Sequence, residues 1–134
     1  MATAPTFAAT PKAWAGTVPA TLDTSNTAPT NVTTIVTAGA SGSKIEEIRI
    51  VQVASTTTSG VLNIFLYDGS TYHLVEPVNI QAITLSTTVA NPSDQIFQGY
   101  YNNLVIPSGW SIRVSVTVAA FQSAFKVIAF GGDF

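Results

Sequence analysis

Trp110-Ser111-Ile112-Arg113-Val114-Ser115-Val116-Thr117-Val118 is the stretch that decides the fold. In an extended chain Trp110, Ile112, Val114, Val116 and Val118 fall on one side, and Ser111, Arg113, Ser115 and Thr117 on the other. Alternation at a period of two marks a β-strand with one face on a core and the other meeting water or a partner. Similar runs rich in β-branched residues lie near 32–38, 44–54, 60–67, 71–76, 78–90, 95–98, 103–106 and 125–130. Between them stand clusters with the Gly, Pro or Asn that a chain reversal requires: Gly39-Ala40-Ser41-Gly42-Ser43, the 55–60 segment, Asn91-Pro92-Ser93-Asp94 and Pro107-Ser108-Gly109. No segment carries a helical period. Short antiparallel strands at this spacing predict an all-β protein, an antiparallel β-sandwich of jelly-roll type, with an open barrel as the competing architecture.

Two local features refine this reading. Asp68-Gly69 separates Leu62-Asn63-Ile64-Phe65-Leu66-Tyr67 from Thr71-Tyr72-His73-Leu74, and Asp-Gly tolerates the positive φ of a two-residue hairpin turn. In 44–54 the apolar parity switches: Ile48 and Ile50 share one face, Val51 and Val53 the other. A β-bulge near Val51, or burial of both faces against another subunit, accounts for the switch.

The chain of 134 residues divides into an extended arm over 1–29 and a sandwich domain over 30–134. The arm is dense in Ala, Thr and Pro (Pro5, Pro11, Pro19, Pro29) and has no core-forming periodicity. Its apolar anchors are Phe7, Trp14, Val18 and Leu22, too few to hold it unless it lies along the domain or a neighbouring subunit. At the other terminus, Phe125-Lys126-Val127-Ile128-Ala129-Phe130-Gly131-Gly132-Asp133-Phe134 predicts a strand, a double-glycine hinge and a terminal Phe134 that enters a pocket of its own or a neighbouring chain. Phe7, Trp14, Val18, Leu22, Phe130 and Phe134 are the expected interface residues.

Charged residues make up 9% of the chain and hydrophobic ones 46%, against roughly 25% charged in an ordinary domain. A surface dressed with Thr, Ser, Asn and Gln contacts another protein at little cost, because few ions lose hydration. The net charge is −2, and the basic residues Lys12, Lys44, Arg49, Arg113 and Lys126 are scattered. That pattern argues against a nucleic-acid partner. Cysteine is absent, which removes disulfides and thiolate metal sites. Met1 to Thr10 lacks the basic and apolar regions of a secretory signal, and no apolar run approaches the ~18 residues that cross a bilayer, so a soluble protein made in a cytoplasm is expected.

Catalytic chemistry is thinly supplied. His73 is the one histidine, and no Gly-x-Ser-x-Gly elbow accompanies it. Glu46 and Glu47, as neighbours in a strand, are expected on opposite faces, which denies them the same-face spacing of a glycosidase pair. The Gly39 to Lys44 segment lacks the glycine spacing of a phosphate loop and precedes a strand. Trp14, Tyr72, Tyr100, Tyr101 and Trp110 suit either core packing or stacking on a sugar. The residues therefore predict no enzyme, no cofactor and no metal.

Lys44-Ile45-x-x-Ile48-Arg49-Ile50, the Thr56-Thr57-Thr58-Ser59-Gly60 turn, Phe65-Leu66-Tyr67-Asp68-Gly69, Ile106-Pro107-Ser108-Gly109-Trp110 and the closing Ile128-Ala129-Phe130-Gly131-Gly132-Asp133-Phe134 together resemble a family of small virion proteins of tailed bacteriophages, the capsid decoration or cement class. The resemblance spans roughly residues 32–134. It implies β-sandwich subunits that assemble as homotrimers on the outer capsid surface and stitch the major capsid protein together, with no catalytic residue. A receptor- or glycan-binding module, or another tail or fibre component, is the alternative.

Overall fold

In a computed structural model of the chain, the structure describes residues 10–86, 88 and 95–134. The described residues form β1 (Thr10–Thr17), β2 (Thr33–Thr37), β3 (Ser43–Gln52), β4 (Gly60–Tyr67), β5 (Tyr72–Ile80), β6 (Gln95–Ile106), β7 (Ser111–Val116) and β8 (Phe125–Asp133), with a 3-10 turn at Ala119–Phe121. Two four-stranded antiparallel sheets result: sheet I in the order β1-β8-β3-β6 and sheet II in the order β2-β7-β4-β5. The protein is an all-β sandwich.

The wiring follows from nested pairings. β4 pairs with β5, β3 with β6, β2 with β7 and β1 with β8. The chain is thus one long hairpin, closed by the loop after Tyr67 and wound so that successive strand pairs fall alternately in sheet II and sheet I. Every pair outside the first brings together residues far apart in sequence, so most of the structure rests on long-range contacts.

Inward side chains of both sheets make the core, among them Ile45, Ile48, Ile50, Val127 and Ala129 from sheet I and Leu62, Ile64, Ile112, Val114 and Val116 from sheet II. Trp110 and Val118, expected on the dry side of the β7 run, flank the strand and pack partly buried against this core. The 3-10 turn tucks Phe121 into one end, edge-on to Phe125 with ring centroids 5.0 Å apart. The other side of β7 departs from expectation: Ser111 and Ser115 are buried, not solvated. The connection between β1 and β2 accounts for Ser115, which lies in register with Asn63, while Ser111 accepts from Arg113 Nε. Asp23 N–H donates to the Val116 carbonyl at 2.8 Å, and Asn26 Oδ1 accepts from Asn63 Nδ2 at 3.0 Å, so the connection crosses the outer face of sheet II. Asp23 holds it folded, accepting from the N–H groups of Ser25 (2.9 Å), Thr30 (2.7 Å) and Asn31 (3.0 Å).

The stretch expected as an arm contributes, over Thr10–Thr17, the edge strand β1, paired with β8 from Thr10↔Asp133 to Thr17↔Lys126. The sandwich therefore begins before residue 30. Short Ala and Thr side chains hide the strand pattern, and Pro11 is compatible because an edge strand has one side without ladder bonds. Val18, placed among the interface residues, is instead in the core at 2% exposure.

In β3 the register with β6 shifts between Ile50 and Val51, where a bulge was expected, but the change of facing lies earlier in the strand. Ser43 and Ile45 are buried, then Glu46 and Glu47 both are not, then Ile48, Ile50 and Gln52 are buried. The register with β8 slips between Ile45 and Glu47. The bulge that re-aims the strand is thus at Glu46-Glu47, and it turns both carboxylates outward, which overturns the expectation of opposite faces. Near Val51 only the pairing with β6 shifts, and the inward series continues through it. Val51 and Val53 face outward. Pro77 lies within β5, an edge strand, which joins the 71–76 run to the start of the 78–90 run.

The double glycine is not a hinge. Gly131 sits inside β8 opposite Ile45, where the bulge brings the chains together: a Cβ on Gly131 would lie 1.9 Å from the Lys44 carbonyl oxygen. The strand runs on to Asp133, and Phe134 N–H donates to the Gly42 carbonyl at 3.2 Å, so the terminal residue caps the turn between β2 and β3 of its own chain.

Candidate functional site

The densest grouping of polar and aromatic side chains stands at the β4–β5 hairpin. Tyr67 and Tyr72 close the ladder, leaving Asp68-Gly69-Ser70-Thr71 as the loop, longer than the two-residue turn expected. Asp68 sets that length. Its Oδ1 accepts from the N–H groups of Ser70 (2.9 Å) and Thr71 (2.8 Å) and from the Ser70 hydroxyl (3.1 Å), replacing the backbone acceptor of a tighter turn, while Gly69 takes the left-handed step at φ +98°. Asp68 Oδ2 lies 2.9 Å from His73 Nε2. That imidazole, followed by the loop N–H groups, holds the Asp68 carboxyl far below the usual carboxylate range.

Asp68 and His73 together form the acid–imidazole part of a hydrolytic constellation. The nearby hydroxyl, Ser70 Oγ, donates to the carboxylate and not to the ring. A nucleophile–base contact, which the chemistry needs first, is not made among the described residues. The imidazole is also half exposed, at 52%. Among the described residues there is no pocket and no group of three metal-ligating side chains, and no helix is long and apolar enough to cross a membrane.

Beside the hairpin, β7 brings Arg113 onto the outer face of sheet II, in register with Phe65 of β4. Its guanidinium carbon lies 4.0 Å from the Tyr67 ring centroid, Nη1 donates to the Tyr72 hydroxyl at 2.8 Å, and Nε donates to Ser111 Oγ at 3.0 Å. Tyr67 and Tyr72 are 4.5 Å apart at a 40° tilt, and Phe65, buried outside the main core, meets Tyr72 edge-on at 5.7 Å. Sequence reading missed this group. The Ser111-x-Arg113 alternation was visible, but only the β4–β7 register shows that it faces the tyrosines flanking the hairpin.

Sheet I presents a second surface. Outward from β8 are Lys126, Ile128 and Phe130, and beside them Ala13 and Ala15 of β1 and Arg49 and Glu47 of β3. Phe130 is 37% exposed, with the Arg49 guanidinium 5.9 Å from its ring; Val53 and Val105 are 49% and 50% exposed. Of the charges here, Arg49 pairs with Glu47 at 2.5 Å and Lys44 with Glu46 at 2.7 Å, while Lys126 donates to the Thr17 hydroxyl. At the sheet's end Lys12 meets Asp133 at 2.5 Å, and the Ser43 hydroxyl donates to the same carboxylate at 2.5 Å. Lys12 first and Ser43 next lower the Asp133 pKa.

The expected interface residues are thus dispersed. Phe130 and Leu22 are exposed, Trp14 packs partly buried against the core, Val18 is inside it, Phe134 caps the β2–β3 turn, and Phe7 lies outside the described residues. Of the aromatics considered for sugar stacking, Trp110 also packs on the core, Tyr72 joins the Arg113 group, and the side chains of Tyr100 and Tyr101 lie outside what is described. No family model, curated protein or solved structure matches the chain.

Proposed function

We propose that the protein is a structural virion component that decorates and cements the outer capsid surface of a tailed bacteriophage. The observation that carries this reading is the outer face of sheet I. Half-exposed apolar side chains, Phe130, Val53 and Val105, are interspersed with ions that, Lys126 apart, are neutralised by neighbours on the same strand. Covering such a face removes apolar area from water and strips few unpaired charges, which is what favourable protein association requires. The nested strand pairing supports a jelly-roll reading of the sandwich, and we take it to be one. The motif resemblance over residues 32–134 points the same way.

Cementing acts through area and copy number. A standard patch of about 800 Å² per partner gives a gross apolar gain that association and ordering costs largely consume. A homotrimer multiplies weak contacts with the major capsid protein through effective concentration. The test is a titration of the purified protein onto particles lacking it: saturable binding at lattice stoichiometry supports the reading, and its absence contradicts it. A glycan- or receptor-binding role, favoured by the Tyr67–Tyr72–Arg113 group, predicts sugar affinity without particle binding.

A further inference from the structure

The Arg113 group holds hydrogen-bond donors in excess of acceptors. Nε is satisfied by Ser111 and one Nη1 hydrogen by Tyr72, but Nη2 has no acceptor among the described residues. The Tyr72 hydroxyl, which accepts from Arg113, keeps its own O–H to give, while the buried Ser111 hydroxyl backs the guanidinium. No carboxylate lies within ion-pair distance of Arg113 among the described residues. The acid of the adjoining loop, Asp68, is engaged by His73, Ser70 and Thr71. The guanidinium is partly buried and clamped on the Tyr67 face, so its planar fork is held in place before anything binds.

We propose that Arg113, with Tyr72, receives the carboxylate of a glutamate or aspartate side chain from a protein partner on the outer face of sheet II. A ligand for this place must supply acceptors and a negative charge, and a carboxylate meets a guanidinium fork with two parallel bonds. Two features favour a protein over a small acid. No pocket surrounds the group among the described residues, so a ligand must bring its own cover. The flanking β5 side chains Leu74 and Val75 are 37% and 43% exposed, giving the tyrosine, arginine and aliphatic composition in which binding energy concentrates at protein contacts. In taking the partner to be a protein the inference rests on the decoration reading; the carboxylate specificity stands on the geometry alone.

The test is nuclear magnetic resonance titration of the intact protein, following the Arg113 side-chain N–H and the Tyr67 and Tyr72 ring signals. The probe is a capped Gly-Glu-Leu-Glu-Gly peptide, compared with its Gln counterpart, with glucuronic acid and with inorganic phosphate. The Glu peptide is expected to produce saturable shifts and to bind about tenfold more tightly than the Gln peptide, and more tightly than either small acid. Arg113→Gln abolishes the difference, and Tyr72→Phe, which keeps the ring packing, reduces it. Equal binding of the two peptides, tighter binding of glucuronate or phosphate, or no saturable shift overturns the proposal. Particle titration reports the decoration reading separately: normal occupancy with no peptide selectivity defeats this site and leaves that reading intact.

Discussion

Lys12 Nζ of β1 meets the Asp133 carboxylate at the end of β8 at 2.5 Å, tying together strands from the two ends of the described chain. Gly39 makes room for it, since a Cβ there would lie 2.7 Å from Asp133 Cγ. Asp133→Asn should therefore loosen β1 selectively. Amide hydrogen exchange checks this: the β1 amides should exchange faster while those of β4 and β7 keep their protection.

Lowered carboxylate pKa values fix the sign of the acid response. For Asp23, the N–H groups of Asn31 and Ser25 favour the charged form most, and Asp133 is held charged by Lys12 and Ser43. Each folded pKa lies below the ordinary value of 3.8, so the stabilisation is present above that pH and is lost as pH falls through the folded values. Thermal midpoints should stay level down to about pH 4 and then drop. Asp23→Asn should lower the midpoint at pH 7 and converge with the parent protein at strongly acid pH.

Gly131→Ala should be the severest of the glycine substitutions. Its Cβ would overlap the Lys44 carbonyl, which belongs to the backbone of a central strand and cannot swing away. A loss of about 3 kcal/mol or more is expected in urea unfolding. Gly109→Ala meets open space at φ +84°, and only the left-handed conformation is penalised, at roughly 1–2 kcal/mol.

Core and surface aromatics should separate stability from binding. Phe121 is fully buried, and Phe121→Ala should cost about 3–5 kcal/mol of unfolding free energy. Phe130 is exposed on sheet I, and Phe130→Ala should change stability by less than about 1 kcal/mol while lowering particle occupancy. His73→Ala should leave both unchanged, since its contact with Asp68 is at an exposed loop.

The sandwich was legible because alternation survives wherever a strand has one dry face, as in Ile112, Val114 and Val116. It failed where composition or topology overrides the pattern. Thr10–Thr17 carries too few large apolar residues to announce a strand, and it is recruited because β8 offers an open edge. Glu46-Glu47 looked like an ordinary adjacent pair, and the bulge that turns both outward is fixed by close approach to Gly131, a residue far along the chain. The buried Ser115 depends on a connection folded around Asp23, and the Arg113 group, with Ser111 in it, depends on register. Both are long-range facts that no local spacing encodes.

Electron cryomicroscopy of the purified particles, with this subunit located in the density, tests the central claim most directly. The account predicts copies repeating over the outer shell, seated on the major capsid protein through the exposed face of sheet I. Finding the subunit confined to a tail ring or fibre tip, or absent from the particle altogether, would contradict it.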